Sequence, residues 1–508
     1  MNGDGLERKK EFGDYQTPFK FSKEVCEYLK NELQINPSIV IEPTCGLGSF
    51  IKASYSVFDA AEQFYGIEVN KEYCEFCKKD SPAENITIIN ENFFTYDLKK
   101  ISKQKENVLI IGNPPWVTNS DLEYNLPEKI NFKGLLGIDA ITGASNFDIC
   151  EYIILQLIEE FKNTNAIISM LCKTSVARNI FQELNRNKIK VKSIKMLEFN
   201  SKKIFDVNTS ACILIVELSE KEENYNICEI YDFSRYKELK RKIGYIDGKF
   251  YSNMNSELNF EGVSCFEWRQ GVKHDASKVM ELKDNRDGTY TNGNKQIVDI
   301  EDDFVFQLVK SSHFKTPIIR NYKKKVIVTQ RKPKEQTKYI EGIAPKTWKY
   351  LNENIEVFRN RKSSIYNGAP DFCMFGIGDY SYAEYKVGVS GFYKKPLFCL
   401  LHDEKPVMCD DTSYFISFDN KENSYTCMLL LNSDKVQNFL FNISFKDAKR
   451  PYTKKVLMRI DFKKCYEHVS FKEIEETERK LNLEPFVTKE MYNKFGKLIN
   501  KNVLNNAQ

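Results

Sequence analysis

Histidine is scarce in this chain of 508 residues, with only His274, His313, His402 and His468, far apart from one another. Ser-His-Asp chemistry and metal catalysis therefore have little to build on, and no metal site is expected. The 14 cysteines are scattered. The close pair Cys74 and Cys77 lacks the second pair or the histidines that zinc needs, and reads as two thiols on one helix face. No apolar run reaches the roughly 18 residues of a membrane-spanning helix. The segment from Met1 to Phe12 is charged and polar rather than a signal peptide, so a cytoplasmic protein is expected. Internal repeats and long polar tracts are missing too, which excludes a solenoid and a disordered chain.

What is present is a globular composition, 42% hydrophobic and 29% charged, long enough for two to four domains. The net charge of +4 is unevenly divided. Residues 1 to 250 hold 33 Lys+Arg against 37 Asp+Glu, and residues 251 to 508 hold 42 against 34. The segment Ser311 to Lys362 has 14 basic and 4 acidic residues, with Lys323-Lys324-Lys325 and Arg331-Lys332-Pro333-Lys334. Such a run is either a solvated face or, interleaved with Tyr322, Tyr339, Trp348, Tyr350 and Phe358, a surface that tracks phosphates and stacks on bases.

Short β-rich runs alternate with helical segments along the first half. Ile39 to Ile41, Phe64 to Val69, Ile86 to Ile89, Val108 to Ile111, Ala166 to Cys172, Ile194 to Glu198 and Ala211 to Glu217 read as strands. Gly48 to Phe58, Lys71 to Asp80 and Phe147 to Phe161 read as helices. This alternation predicts an α/β fold, a doubly wound, mostly parallel sheet over residues 1–245. The polar stretch from Ser219 to Asn255 ends the alternation. Residues 246–508, rich in Tyr, Phe, Lys and Asn, form a second, mixed α+β domain of unassigned topology.

Ligands of doubly wound sheets sit beyond the carboxyl ends of the strands. The first such turn reads Glu42-Pro43-Thr44-Cys45-Gly46-Leu47-Gly48, whose glycines allow close backbone approach at a helix start. On its own this pattern also serves dinucleotides and plain turns. Glu68, ending the next strand, is a candidate for the two hydroxyls of a ribose, the alternative being a helix-capping acid. Asn92 and Phe93, after the third strand, supply an amide and an aromatic face for an adenine ring.

The fourth strand runs into Asn113-Pro114-Pro115-Trp116. Two prolines stiffen the backbone and remove two N–H donors, leaving carbonyl oxygens aimed beside an amide and an aromatic ring. With these residues in view, the chain resembles the gamma class of DNA amino-methyltransferases, the TaqI-like adenine methylases of restriction-modification systems. The matching order runs from Gly13-Asp-Tyr-Gln-Thr17-Pro18 through Glu42 to Gly48, Glu68, Asn92-Phe93 and Asn113 to Trp116. It ends in Lys203-Ile-Phe205-Asp-Val-Asn-Thr-Ser-Ala, similar to the segment whose Phe stacks on the target base. Trp268-Arg-Gln-Gly-Val-Lys-His-Asp275 resembles the opening of a target-recognition region. The family commonly has an acid where Asn92 stands and an aromatic where Gln16 stands.

The resemblance implies S-adenosylmethionine as cofactor, held by Thr17, Glu42, Pro43, Thr44, Cys45, Gly46, Gly48, Glu68, Asn92 and Phe93. It implies a class I methyltransferase, Rossmann-like catalytic domain followed by a DNA-binding domain, acting on double-stranded DNA. The amine N6 of adenine is a poor nucleophile until its protons are held, and Asn113 and the Pro114 carbonyl are the expected acceptors. The base must leave the helix to reach them, and Trp116 and Phe205 are expected to stack on its two faces, with Pro115 stiffening the loop. Residues 119 to 145 are a candidate closing loop. Lys323, Lys324, Lys325, Arg331 and Lys332 are the candidate DNA contacts. A monomer is expected, without a membrane partner, with room for a cognate restriction endonuclease as a separate chain. RNA adenine or protein-glutamine methylation, or an inactive DNA-binding relative, are the rival readings.

Overall fold

The computed structural model describes residues 16–80, 83–102, 107–116, 148–254 and 260–505. The expected closing loop at 119–145 lies outside the described residues, as do Gly13 to Tyr15. Contacts divide the chain into two compact units, Met1–Asn255 and Ser256–Gln508.

The first unit is built on one ten-stranded sheet in the order β10-β9-β8-β6-β7-β5-β4-β1-β2-β3. Its strands are β1 (Ile39–Glu42), β2 (Gln63–Glu68), β3 (Ile86–Asn90), β4 (Val108–Gly112), β5 (Ile167–Lys173), β6 (Val191–Phe199), β7 (Ala211–Leu218), β8 (Ile227–Asp232), β9 (Leu239–Ile246) and β10 (Lys249–Tyr251). Strands β3, β2, β1, β4 and β5 run parallel, and β7 enters antiparallel between β5 and β6. Strands β1 and β4 are buried along their whole length, which is why they read as unbroken apolar runs. Between them come α1 (Phe19–Asn31), α2 (Ser49–Val57), α3 (Lys71–Asp80), α4 (Ile149–Phe161), α5 (Thr174–Arg186) and the short α6 (Ser201–Phe205). The strands and helices expected from periodicity fall within a residue or two of these bounds, except that β6 begins three residues before the expected Ile194.

The polar stretch from Ser219 departs from expectation. Instead of ending the sheet it supplies β8, β9 and β10, which extend it by three strands. Their solvent side is covered by charge rather than by apolar residues: Lys240 and Arg241 of β9 pair with Glu198 of β6, and Lys242 with Glu229 of β8. A strand whose exposed face is an ion-pair ladder carries no hydrophobic alternation to detect.

The second unit holds two sheets. One is six-stranded, β14-β13-β12-β17-β15-β20, from β12 (Glu281–Asp284), β13 (Tyr290–Asn292), β14 (Ile297–Val298), β15 (Val305–Val309), β17 (Lys324–Ile327) and β20 (Met408–Cys409). It shares a core with α7 (Pro345–Glu353) through Leu351 and Tyr350. The other is five-stranded, β11-β21-β18-β19-β16, from β11 (Arg269–Gln270), β16 (Ile318–Ile319), β18 (Tyr385–Ser390), β19 (Cys399–Leu401) and β21 (Ser413–Phe418). Against it pack α8 (Lys421–Asn432), α9 (Asp434–Ile443), α10 (Phe471–Lys480) and α11 (Lys489–Asn505), with Trp268 fully buried in the shared core. Among the described residues no helix is long and apolar enough to cross a membrane.

Candidate active site

Strand order reverses at β1, which has β2 on one side and β4 on the other, with Ile41 opposite Ile110. The crevice at such a reversal is where open α/β sheets bind ligands. The turns after β1 and β4 both open there, so Glu42 to Gly48 and Asn113 to Trp116 become neighbours although some 70 residues separate them in sequence.

The turn after β1 is shaped by two left-handed glycines, Gly46 (φ +52°) and Gly48 (φ +74°). A Cβ on Gly48 would lie 2.3 Å from the Cys77 sulfur, and one on Gly46 would lie 2.9 Å from the Gln16 amide oxygen. The Cys74 and Cys77 thiols are thus explained by packing under this turn. Glu42 is buried, and its carboxylate accepts the Ile51 N–H at 3.0 Å in the first turn of α2. Burial pushes its pKa well above the usual carboxylate range, against the pull of that helix N–H.

Glu68 accepts from the Gly46 N–H at 2.9 Å and from the Asn70 N–H at 2.8 Å. It therefore ties the end of β2 to the glycine turn. Capping of α3 falls to Asn70, whose side-chain oxygen accepts from Glu72 at 2.9 Å and Tyr73 at 3.2 Å. The Asn92 side-chain oxygen accepts the Phe94 N–H at 3.0 Å, closing the turn after β3; Phe93 is buried and meets Phe94 at 5.6 Å. The Thr44 hydroxyl is buried with no hydrogen-bond partner among the described residues. Gln16 accepts the Leu47 N–H at 3.2 Å, a contact that no sequence pattern signals.

At the end of β4 the Asn113 amide donates to the Thr17 hydroxyl at 3.2 Å, joining the segment before α1 to the tetrapeptide. Pro114 is buried and Pro115 half-buried. Trp116 is buried, with its indole N–H directed at the Leu171 carbonyl at 3.4 Å. The Cys150 thiol points at the same carbonyl at 3.7 Å. Phe205 closes the group, but not as expected. Its ring meets Trp116 edge-on, centroids 5.5 Å apart at 69°. A base between two rings needs them parallel and roughly 7 Å apart, two van der Waals contacts, so this arrangement leaves no slot between them. Beside them Lys173, at the end of β5, pairs with Asp148 at 2.9 Å, an ion pair absent from the sequence reading.

In the second unit the basic run divides. Lys324 bonds to the buried Glu281 at 2.6 Å, which also takes Lys310 at 2.6 Å, and Lys325 bonds to Asp284 at 3.0 Å. Lys323, Arg331 and Lys332 are exposed. The interleaved aromatics are largely structural: Phe358 is buried, Tyr350 donates to the Val279 carbonyl, and Tyr322 to the Ile319 carbonyl. Among the described residues no cluster of three or more His, Cys, Asp or Glu is arranged to hold a metal.

Residues 5–246 match the family model described as N-6 DNA Methylase. Over 468 residues the chain is 38% identical to the Type II methyltransferase M.NspV of Nostoc sp., covering 89% of this chain and 96% of that protein. The chain belongs to the N-6 DNA methylase family. It is an adenine-specific DNA methyltransferase with an α/β fold of the class I type, and the family's methyl donor is S-adenosylmethionine. This methylase is also 25% identical over 221 residues to the modification methylase CviBIII of Paramecium bursaria Chlorella virus NC1A, spanning 43% of this chain and 53% of that one. Its fold is like that of the Type IIL restriction-modification enzyme MmeI, solved in complex with DNA, with TM-score 0.55 at 11% identity over 98% of this chain and 74% of that one.

The methylase's own residues fit the donor. The glycine turn is bare where any side chain would intrude, the Thr44 hydroxyl is buried without a partner among the described residues, and the Glu68 carboxylate stands at the end of β2 against the Gly46 N–H.

Proposed function

We propose that this methylase is the gamma-class modification enzyme of a restriction-modification system, methylating N6 of an adenine turned out of duplex DNA. The carrying observation is the Thr17–Asn113 hydrogen bond beside the glycine turn, which joins the first motif to the tetrapeptide at one sheet reversal. In this reading residues 1–245 form a doubly wound catalytic domain, and residues 246–508 recognise the target sequence. The chain acts as a monomer, and any cognate endonuclease is a separate chain.

S-adenosylmethionine, when bound, supplies an electrophilic methyl group. Glu68 would take the ribose hydroxyls, the turn from Glu42 to Gly48 with the Thr44 hydroxyl would hold the donor, and Asn92 and Phe93 would serve its adenine. Thr17 holds the amino end of the Asn113 amide, so the carbonyl end is the acceptor for one N6 proton; the Pro114 carbonyl takes the other. Both draw the amine toward tetrahedral geometry and stabilise the charge that grows on it. Pro115 keeps the acceptor and Trp116 in register. Stacking of the base requires Phe205 to rotate off Trp116. Phe205 is half-buried on a five-residue helix and also packs against Phe21 and Phe199, whereas Trp116 is anchored through its indole N–H.

The test is methylation of unmethylated duplex DNA with labelled donor, followed by sequencing that detects modified bases. One N6-methyladenine within a fixed short sequence is expected. Label on RNA or on protein glutamine instead of DNA adenine overturns the reading. So does normal turnover by Asn113→Ala with donor binding intact.

A further inference from the structure

Several arginines of the second unit lie on aromatic rings, and nearly all of them are also tied to acceptors. Arg269 stacks on Tyr380 and pairs with Glu267. Arg361 lies on Tyr366 and donates to the Cys373 carbonyl. Arg450 lies over Phe392 and reaches Asp411. Arg331 differs. Its guanidinium is centred 4.8 Å from the Tyr382 ring, the residue is exposed, and among the described residues no acceptor bonds to its fork.

The backbone beneath Arg331 is held by several hydrogen bonds. Residues 326 to 330 are buried, so the chain leaves the core at this arginine. Gln330, 1% exposed, accepts the Met374 N–H at 2.7 Å and donates to the Lys332 carbonyl at 2.6 Å. Glu335 folds back to accept the N–H groups of Arg331 at 2.7 Å and Lys332 at 3.1 Å. Tyr382 is fixed in turn, donating to the Gln330 carbonyl at 3.1 Å with Phe306 edge-on at 5.6 Å. A guanidinium is planar, always charged and carries its donors in a rigid fork. Held on a ring above a pinned turn, it loses little freedom on binding. Charge for phosphates is already supplied by the neighbouring exposed Lys332 and Lys334, and an oriented, otherwise unused fork also suits a planar partner with two acceptors side by side. In duplex DNA that partner is the major-groove edge of guanine, O6 and N7.

The geometry points to Arg331 as a specificity-determining residue that reads one guanine of the recognition sequence, positioned by Tyr382. This rests on the reading that residues 246–508 recognise the target.

The experiment takes the full-length enzyme and a duplex set in which each pair of its methylated sequence is replaced in turn. Arg331→Gln should lower kcat/KM on the intact sequence roughly ten- to a hundredfold. That loss should vanish on duplexes lacking one particular G·C pair. Arg331→Lys should behave like Arg331→Gln, since a point charge cannot replace a fork. Tyr382→Leu should give part of the loss, mainly in KM. Melting temperature and donor affinity of the Arg331 variants should match wild type. Equal weakening on every duplex, with a shallower salt dependence and rescue by lysine, would make Arg331 a phosphate contact and overturn the assignment. If Lys323→Gln weakens binding and Arg331→Gln does not, the second unit holds DNA but Arg331 does not read it. If neither variant changes binding or sequence preference, the underlying reading of the second unit fails as well.

Discussion

Thr17 and Glu68 show how single side chains set the geometry of the candidate site. Thr17 accepts from the Asn113 amide, and its isostere valine cannot. Thr17→Val should lower kcat roughly tenfold, because the amide loses the partner that orients it and one donor goes unpaired. Donor affinity, to which the resemblance also assigns Thr17, should fall less than kcat does, and Thr17→Ser should restore turnover. A steady-state kcat measured beside donor binding by calorimetry decides it. Glu68 accepts two backbone N–H groups, and glutamine would turn one acceptor into a donor facing the Gly46 or Asn70 N–H. Glu68→Gln should therefore weaken donor binding about tenfold or more, while kcat at saturating donor falls far less.

Elements meet at backbone positions that tolerate little. Gly48 opens α2 in a left-handed conformation against the Cys77 sulfur of α3. Gly48→Ala should cost both strain and a displaced helix, lowering the melting temperature by several degrees and raising the donor Kd. Adding Cys77→Gly should recover part of the donor binding by clearing the contact. In β18 a different tension sits inside the second unit. Lys386 is 1% exposed, with its ammonium donating to the Ala383 carbonyl at 2.8 Å, and burial pushes its pKa down to about 8. A lysine whose folded pKa lies below its unfolded value of about 10.4 carries a penalty that is complete below pH 8. Stability should recover as pH rises from about 8 to about 10. Lys386→Met should thus stabilise the protein by roughly 3 kcal/mol at pH 7, with the gap to wild type closing toward pH 10. Chemical denaturation across that range measures it; a gap independent of pH would be contrary to a buried, depressed lysine.

At the scale of the whole molecule, the basic run divides between charge that is spent internally and charge that is left over. Lys324 holds the buried Glu281, while Lys323 beside it is exposed and unpaired among the described residues. Lys323→Gln should lower the slope of log Kd against log salt by about 1, the release of one counterion, with no change in melting temperature. Lys324→Gln should show the reverse pattern. The alternation of segments in the first half made the sheet legible, because central parallel strands are apolar throughout and their loops carry the motifs. It did not reveal β8 to β10, whose exposed faces are stabilised by ion pairs rather than by burial, nor the second unit's two sheets, made of strands as short as two residues. For the site, Asn113 to Trp116, Gly46, Gly48 and Glu68 could be chosen from sequence because strand ends and glycines mark them. What sequence determined was thus the chemistry: the residue types, their order and the amine they suit. Tertiary structure alone decided which groups touch. It set Thr17 on Asn113, assigned the capping of α3 to Asn70, put Phe205 edge-on to Trp116, and took Lys324 and Lys325 into ion pairs. The reason is physical: side-chain identity is local, whereas hydrogen bonds, burial and charge pairing depend on residues brought together by the sheet from distant parts of the chain.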